Sequence, residues 1–148
     1  MIPPLVISDR GVTVIGGGAT TPYDLQTALA VAPTLVAADG GADRALALGQ
    51  PPDWVIGDLD SITTSARRLI PSGRICHVAE QDSTDFTKCL TRIAAPFVMA
   101  VGFAGLRLDH TLSALTTMAS TPRPFVILLT SDDVVFVAPP RLTLPLMP

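Results

Sequence analysis

Short apolar runs alternate along this chain with segments whose apolar residues recur every three or four positions. The first run, Val12-Thr13-Val14-Ile15, reads as a buried strand, and Gly16-Gly17-Gly18 breaks it. Leu25, Ala28, Leu29 and Ala32 keep helical spacing, which predicts a helix over residues 24–32 that Pro33 ends. A second strand over residues 34–38 closes at Asp39-Gly40-Gly41, and a short helix over 42–48 stops at Gly49, a glycine C-cap. After the Pro51-Pro52 loop the pattern gives a strand at 54–56, a helix at 63–69, a strand at 74–78 and a loop at 80–83. A helix at 84–93 follows, with Phe86, Leu90 and Ile93 facing inward. Then come a strand at 97–101, a loop at 102–108, and a helix at 110–119 carrying Leu112, Leu115 and Ala119. Strands at 125–129 and 134–137, joined by Thr130-Ser131-Asp132-Asp133, read as a hairpin.

Strands alternating with helices predict an α/β fold: a three-layer, doubly wound, mostly parallel sheet of Rossmann-like type with right-handed crossovers. The α/β domain is expected over residues 1–138. Beyond Ala138 the pattern changes to Pro139-Pro140 and Leu142-Thr143-Leu144-Pro145, so residues 139–148 read as a linker or as the first strand of another unit.

Composition adds bounds. The 148 residues suit one domain, and 48% hydrophobic against 16% charged residues describes a well-packed globule that leans towards oligomerisation. A net charge of −3 argues against nucleic acid, which needs basic patches. The longest nearly uncharged apolar stretch, residues 94–106, is too short for a bilayer and contains a proline and two glycines. Met1-Ile2-Pro3-Pro4 lacks the start of a secretory signal, so a cytoplasmic protein is expected. Cys76 and Cys89 form no CxxC and read as buried free thiols, not a zinc site. Of 13 acids, only Glu80 is glutamate, and Asp prefers the loops and caps at the ends of elements.

Those acids are not spread evenly. Ligands of an open α/β sheet bind outside the carboxyl ends of its strands. There the chain places Gly16-Gly17-Gly18, Asp39-Gly40-Gly41, Gly57-Asp58-Leu59-Asp60, Gln81-Asp82-Ser83-Thr84-Asp85 and Arg107-Leu108-Asp109-His110. The opposite edge has Pro33, Gln50-Pro51-Pro52, Ser72-Gly73, Ala95-Pro96 and Thr121-Pro122, with Asp53 its only acid. Asp58 and Asp60, on an extended segment, leave the same side, so both can turn to one hard cation while Leu59 points to the core. Glycine turns before helices can cradle phosphate, although neither GxGxxG nor GxxxxGK[ST] is present, and Gly16 reads equally well as a structural turn. Ser83 or Thr84 is a natural N-cap, while Asp85 and Lys88, the only lysine, share a helix face. Asp85 towards a metal and Lys88 towards a phosphate is the expectation. Arg107 and His110 are further phosphate candidates, with Asp109 capping the helix or holding Arg107. His77 and Trp54 read as structural.

Four blocks then resemble one family. Asp39-Gly40-Gly41-Ala42, the stretch Pro52-Asp53-Trp54-Val55-Ile56-Gly57-Asp58-Leu59-Asp60-Ser61, the stretch Gln81-Asp82-Ser83-Thr84-Asp85-Phe86-Thr87-Lys88, and Gly105-Leu106-Arg107-Leu108-Asp109-His110 look like thiamin pyrophosphokinase. They come in the family's order, and only Leu106, where a glycine often precedes the Arg, departs from it. The resemblance implies Mg²⁺-dependent transfer of the pyrophosphoryl group of ATP to thiamin, giving thiamin diphosphate and AMP. It implies metal ligation by Asp39, Asp58, Asp60 and Asp85, and catalytic roles for Asp58, Asp60, Asp85, Lys88 and Arg107. Nucleotide contacts are expected from Gly17, Gly18, Asp39, Gly40, Gly41, Asp82, Ser83, Thr84, Asp109 and His110. Asp85 or Asp58 could accept the alcohol proton. A homodimer with a C-terminal β-sandwich is implied as well, which would begin in the 139–148 tail. Alternatives are a non-catalytic Mg-nucleotide module and a pyrophosphokinase for another alcohol, such as a pterin.

Overall fold

A computed structural model describes residues 2–121 and 124–145. Its elements are β1 (Val6–Ile7), β2 (Val12–Ile15), α1 (Pro22–Val31), β3 (Thr34–Ala38), α2 (Gly41–Ala47), β4 (Trp54–Gly57), α3 (Thr64–Leu69) and β5 (Ile75–His77). These are followed by α4 (Asp85–Leu90), β6 (Ile93–Ala94), β7 (Phe97–Val101), α5 (Leu108–Ser120), β8 (Phe125–Leu129) and β9 (Val134–Phe136). Seven strands form one sheet in the order β5-β4-β3-β2-β7-β8-β9, parallel throughout except for the antiparallel β8–β9 pair. All seven expected sheet strands are present. The order steps outward from β2 to β5, then returns to β7 on the other side of β2.

Alternation along the strands sorts the core into two layers. Val12, Val14, Val36, Ala38, Ile56, Val98 and Ala100 face one way and meet Phe86, Cys89 and Leu90 of α4 and Ala114 and Met118 of α5. Ile15, Leu35, Ala37, Val55, Met99 and Val101 face the other way and meet Leu25 and Ala28 of α1, Ala42 and Ala45 of α2, and Ala66 of α3. Strands covered on both faces are apolar at every position, which is why they read as continuous runs.

Several boundaries differ from the pattern. α1 starts at Pro22 because Thr21 caps it: Asp24 N–H donates to Thr21 Oγ1, and Thr21 N–H donates to Asp24 Oδ2 at 2.9 Å. The helix expected to reach residue 93 stops at Leu90, and Ile93–Ala94 instead pairs in parallel with Val6–Ile7. Ile93 is buried as expected, but a strand partner from the N-terminal segment takes its backbone. In α5 the buried residues are Ala114, Thr117 and Met118, and Leu115 packs against the core as expected, whereas Leu112 is 54% exposed and Ala119 is exposed. Trp54 packs against the core as expected, and His77 is exposed on edge strand β5. Residues 137–145 form neither helix nor strand; Pro122 and residues 146–148, also part of the expectations, lie outside the described residues. No helix among the described residues is long and apolar enough to cross a membrane.

Candidate functional site

The carboxyl ends of β2, β3, β4 and β7 surround a cleft of about 540 Å³. Its lining includes Gly17, Gly18, Asp39, Gly40, Asp58, Ser83, Thr84, Asp85, Lys88, Arg107 and His110 from the sequence-based set. Gly41, Asp60, Asp82 and Asp109 are not among the lining residues.

Asp39 ends β3 with φ of 43° and is 1% exposed. Its two carboxylate oxygens accept the backbone N–H of Ser61 at 3.1 Å and of Ile62 at 2.9 Å. Those bonds draw the loop after β4 onto the turn after β3. Gly57 makes the approach possible: a Cβ there would lie 2.8 Å from the Asp39 Cβ and 3.0 Å from Asp85 Oδ1. The following Asp58-Leu59-Asp60 is not extended, contrary to the sequence-based expectation. Leu59 has φ of 66°, and Asp60 N–H turns back towards Asp58 Oδ1 at 3.3 Å. The pair still converges, because a left-handed residue between them folds the segment into a tight turn while Leu59 packs on the core. One oxygen from each of Asp39, Asp58 and Asp60 lies within 4.8 Å of the others. Three carboxylates so close present the hard oxygen donors that suit a divalent cation.

Lys88 approaches this cluster from α4. Its side chain is 1% exposed, and Nζ donates to Asp58 Oδ2 at 3.0 Å and Asp85 Oδ1 at 3.2 Å. A buried ammonium is stable there only because it is paired. Burial disfavours its charge, but the two carboxylates outweigh that and raise its pKa. The Lys88 hydrogen bond in turn holds Asp58 at about 2. Gln81 Nε2 donates to the same Asp58 oxygen at 3.0 Å. Asp39 behaves oppositely: burial, helped by nearby Asp85, pushes its carboxyl up to about 6 despite the two amides it accepts. Thr84, not Ser83, caps α4, accepting Thr87 N–H at 3.1 Å. Glu80 accepts the N–H groups of Asp82 and Ser83 at 2.9 and 3.0 Å and shapes the loop ahead of that cap.

The opposite wall is glycine and aromatic. Gly18 N–H donates to Gly102 O at 2.7 Å, and a Cβ on Gly16 or Gly18 would come within 2.6 Å of that oxygen. Close backbone approach thus demands both glycines. Gly41 is likewise a packing glycine, since its Cβ would lie 2.1 Å from Ile15 O. Gly17 has nothing nearer than 4.0 Å and stays open to the cleft. Phe103 stacks on Phe86 with centroids 4.1 Å apart, joining the two walls. On the rim, Arg107 pairs with Asp109 through two hydrogen bonds, of 3.0 and 2.6 Å; Asp109 therefore holds the arginine, and is lowered to about 2 by that hydrogen bond. Sequence reasoning did not single out Ser61, Gln81, Gly102 or Phe103 as site residues. The glycines at 102 and 105 after a strand were the available signal.

A family profile described as "Thiamin pyrophosphokinase, catalytic domain" matches residues 25–127. Thiamine pyrophosphokinase 3 of Oryza sativa subsp. japonica is 32% identical over 131 residues, which is 70% of this chain and 49% of that protein. Thiamin pyrophosphokinase from Candida albicans shares the fold with a TM-score of 0.70 at 18% identity, over 86% of this chain and 60% of that one. A protein from Lactobacillus plantarum superposes with a TM-score of 0.63 at 27% identity, over 84% of this chain and 61% of that one. The chain thus spans about half the length of the curated relative. With a matching profile over most of its length and the acid, lysine and glycine elements gathered at one sheet edge, the chain belongs to the thiamin pyrophosphokinase family.

Proposed function

We propose that this domain binds ATP with Mg²⁺ and takes part in transferring its pyrophosphoryl group to the hydroxyl of thiamin, giving thiamin diphosphate and AMP. The observation that carries the proposal is the Asp39–Asp58–Asp60 cluster opening on a cleft whose floor holds a buried lysine. Asp39, Asp58 and Asp60, with Asp85 beside them, would hold Mg²⁺. Bound there, the ion would neutralise phosphate charge and increase the electrophilicity of phosphorus.

The chain's own groups do the rest. The open backbone at Gly17, and Gly40 where it lines the cleft, would receive phosphate oxygens. Lys88 fixes Asp58 and Asp85 in place and offsets charge from the cleft floor. Arg107 is exposed and would turn from Asp109 to the phosphates. Asp85 or Asp58, both at the cleft and both paired with Lys88, would accept the alcohol proton. The doubly wound description, a homodimer, a cytoplasmic setting and a β-sandwich following residue 138 belong to the same proposal. Exposed Leu106, Leu108 and Leu112 beside the cleft support a covered face.

The test is incubation with MgATP and thiamin, followed by identification of the adenine product. AMP formed only when thiamin is present is the expected result. ADP would replace pyrophosphoryl transfer with ordinary phosphoryl transfer, and AMP formed with a pterin alcohol would move the substrate. Calorimetric MgATP binding without turnover would leave a nucleotide-binding module.

A further inference from the structure

We propose that Asp43 and Arg44, adjacent on α2, are positioning residues that set the spacing between the carboxylate cluster and the glycine turn across the cleft. The proposal rests on the nucleotide-binding function above. Asp43 Oδ2 accepts Thr63 N–H at 2.9 Å, and its other oxygen accepts the Thr63 hydroxyl. Asp39 already accepts the two preceding amides, Ser61 and Ile62. Three consecutive N–H groups of the acid loop therefore end on two carboxylates, one in the turn before α2 and one in its first turn. Asp43 lies outside the three-carboxylate cluster, so its role is to hold the loop. Thr63 passes the restraint on by capping α3 through Ala66 N–H at 3.1 Å.

Arg44 reaches the other way. Its Nη2 donates to Thr20 O at 2.8 Å, and buried Thr20 ends the turn that begins with Gly16-Gly17-Gly18. Successive helix residues diverge by about 100°, so neighbours of opposite charge can reach loops on two sides. Arg44 Nε is the one buried side-chain nitrogen or oxygen without a hydrogen-bond partner among the described residues. An unpaired buried donor costs stability, so stability alone does not account for an arginine here, whereas a fixed glycine turn does. The two residues thus span the walls that must hold a metal and a phosphate at a set distance.

The experiment titrates Mg²⁺ and ATP by calorimetry, with steady-state kinetics alongside, for wild type, Asp43→Ala, Asp43→Asn, Arg44→Ala and Arg44→Lys. All are measured well below their unfolding temperatures. Asp43→Ala is expected to raise the Mg²⁺ needed for half-saturation about tenfold, the usual size for a group behind the ligands. Asp43→Asn, which keeps one acceptor for Thr63 N–H, recovers part of that. Arg44→Ala is expected to weaken ATP binding about tenfold at saturating Mg²⁺, with partial recovery in Arg44→Lys. If the alanine variants do not fold, the Asn and Lys variants carry the comparison. Variants with lower unfolding temperatures but wild-type Mg²⁺ and ATP titrations overturn the proposal. Wild type that binds MgATP without transferring anything overturns the proposed reaction alone and leaves this test intact.

Discussion

The two rims of the cleft carry their charges in opposite ways. On the acid rim, Lys88 is 1% exposed and bonds two carboxylates at once. On the α5 rim, the side chains of Arg107 and Asp109 are 63% and 64% exposed and pair with each other. Charges withdrawn from water keep one arrangement, and removing one partner strands the other. An exposed pair competes with solvent and salt and adds little to folding. The acid rim therefore holds a single arrangement, while the exposed arginine pair stays open to solvent. The backbone follows the same division: Asp39 and Leu59 sit at positive φ under Asp39's bonds to Ser61 and Ile62, whereas Leu106 sits at positive φ with its side chain 82% exposed.

The contrast breaks most sharply at Lys88. Lys88→Met keeps the volume but leaves Asp58 and Asp85 facing each other, and is expected to cost about 3 kcal/mol in denaturant unfolding. Stability equal to wild type would mean that the acid rim is not held by its lysine. Next is the stack between the walls. Phe103→Ala removes the partner of Phe86 and should cost about 2 kcal/mol, read as a lower urea midpoint at unchanged slope.

A smaller effect concerns pH. The Asp39 carboxyl is raised from 3.8 to about 6 in the folded chain. Between those values the folded state keeps a proton that the unfolded state has lost, so stability falls as pH rises through this window. Urea unfolding in metal-free buffer should show a steeper decline there for wild type than for Asp39→Asn. Asp58, lowered to about 2, has the opposite sign: its contribution is present above 3.8 and is lost as pH falls towards 2. A flat wild-type profile between pH 3.8 and 6 would remove the burial account of the raised Asp39 carboxyl. Least affected is folding in Arg107→Ala, which should unfold with wild type while its transfer rate drops on the order of a hundredfold. A lower unfolding midpoint would show that the exposed rim carries more structure than its exposure suggests.

The local pattern made much of this legible. Strands buried on both faces announce themselves as apolar runs, and the half-buried edge strands β5 and β9 were placed by the turns around them, so the seven sheet strands could be placed from the chain alone. The contrast between acid-bearing and proline-bearing turns assigned the functional edge for the same reason, because it needs only element order. The Thr21, Pro22 and Asp24 cap of α1 was written in the sequence and overlooked, which moved the helix start by two residues. The β1–β6 pair was not legible: two residues per strand show no period, and their pairing joins segments far apart in the chain. The inward face of α5 was legible only at Leu115, because the exposed Leu112 continues its apolar spacing and imitates a buried stripe.

By itself, then, the sequence determined the order of strands and helices, the sheet edge that gathers the acids and glycines, and the residues matching a pyrophosphokinase family. Each of these depends on neighbours along the chain. Only the tertiary structure decided that Asp58 and Asp60 meet through a left-handed turn, that Lys88 serves two carboxylates from inside the core, and that Asp39 gathers the amides of a distant loop. The Lys88–Asp58 pair and the Asp39 bonds join segments 22 to 30 residues apart, and their strength depends on the surrounding dielectric and geometry that folding creates.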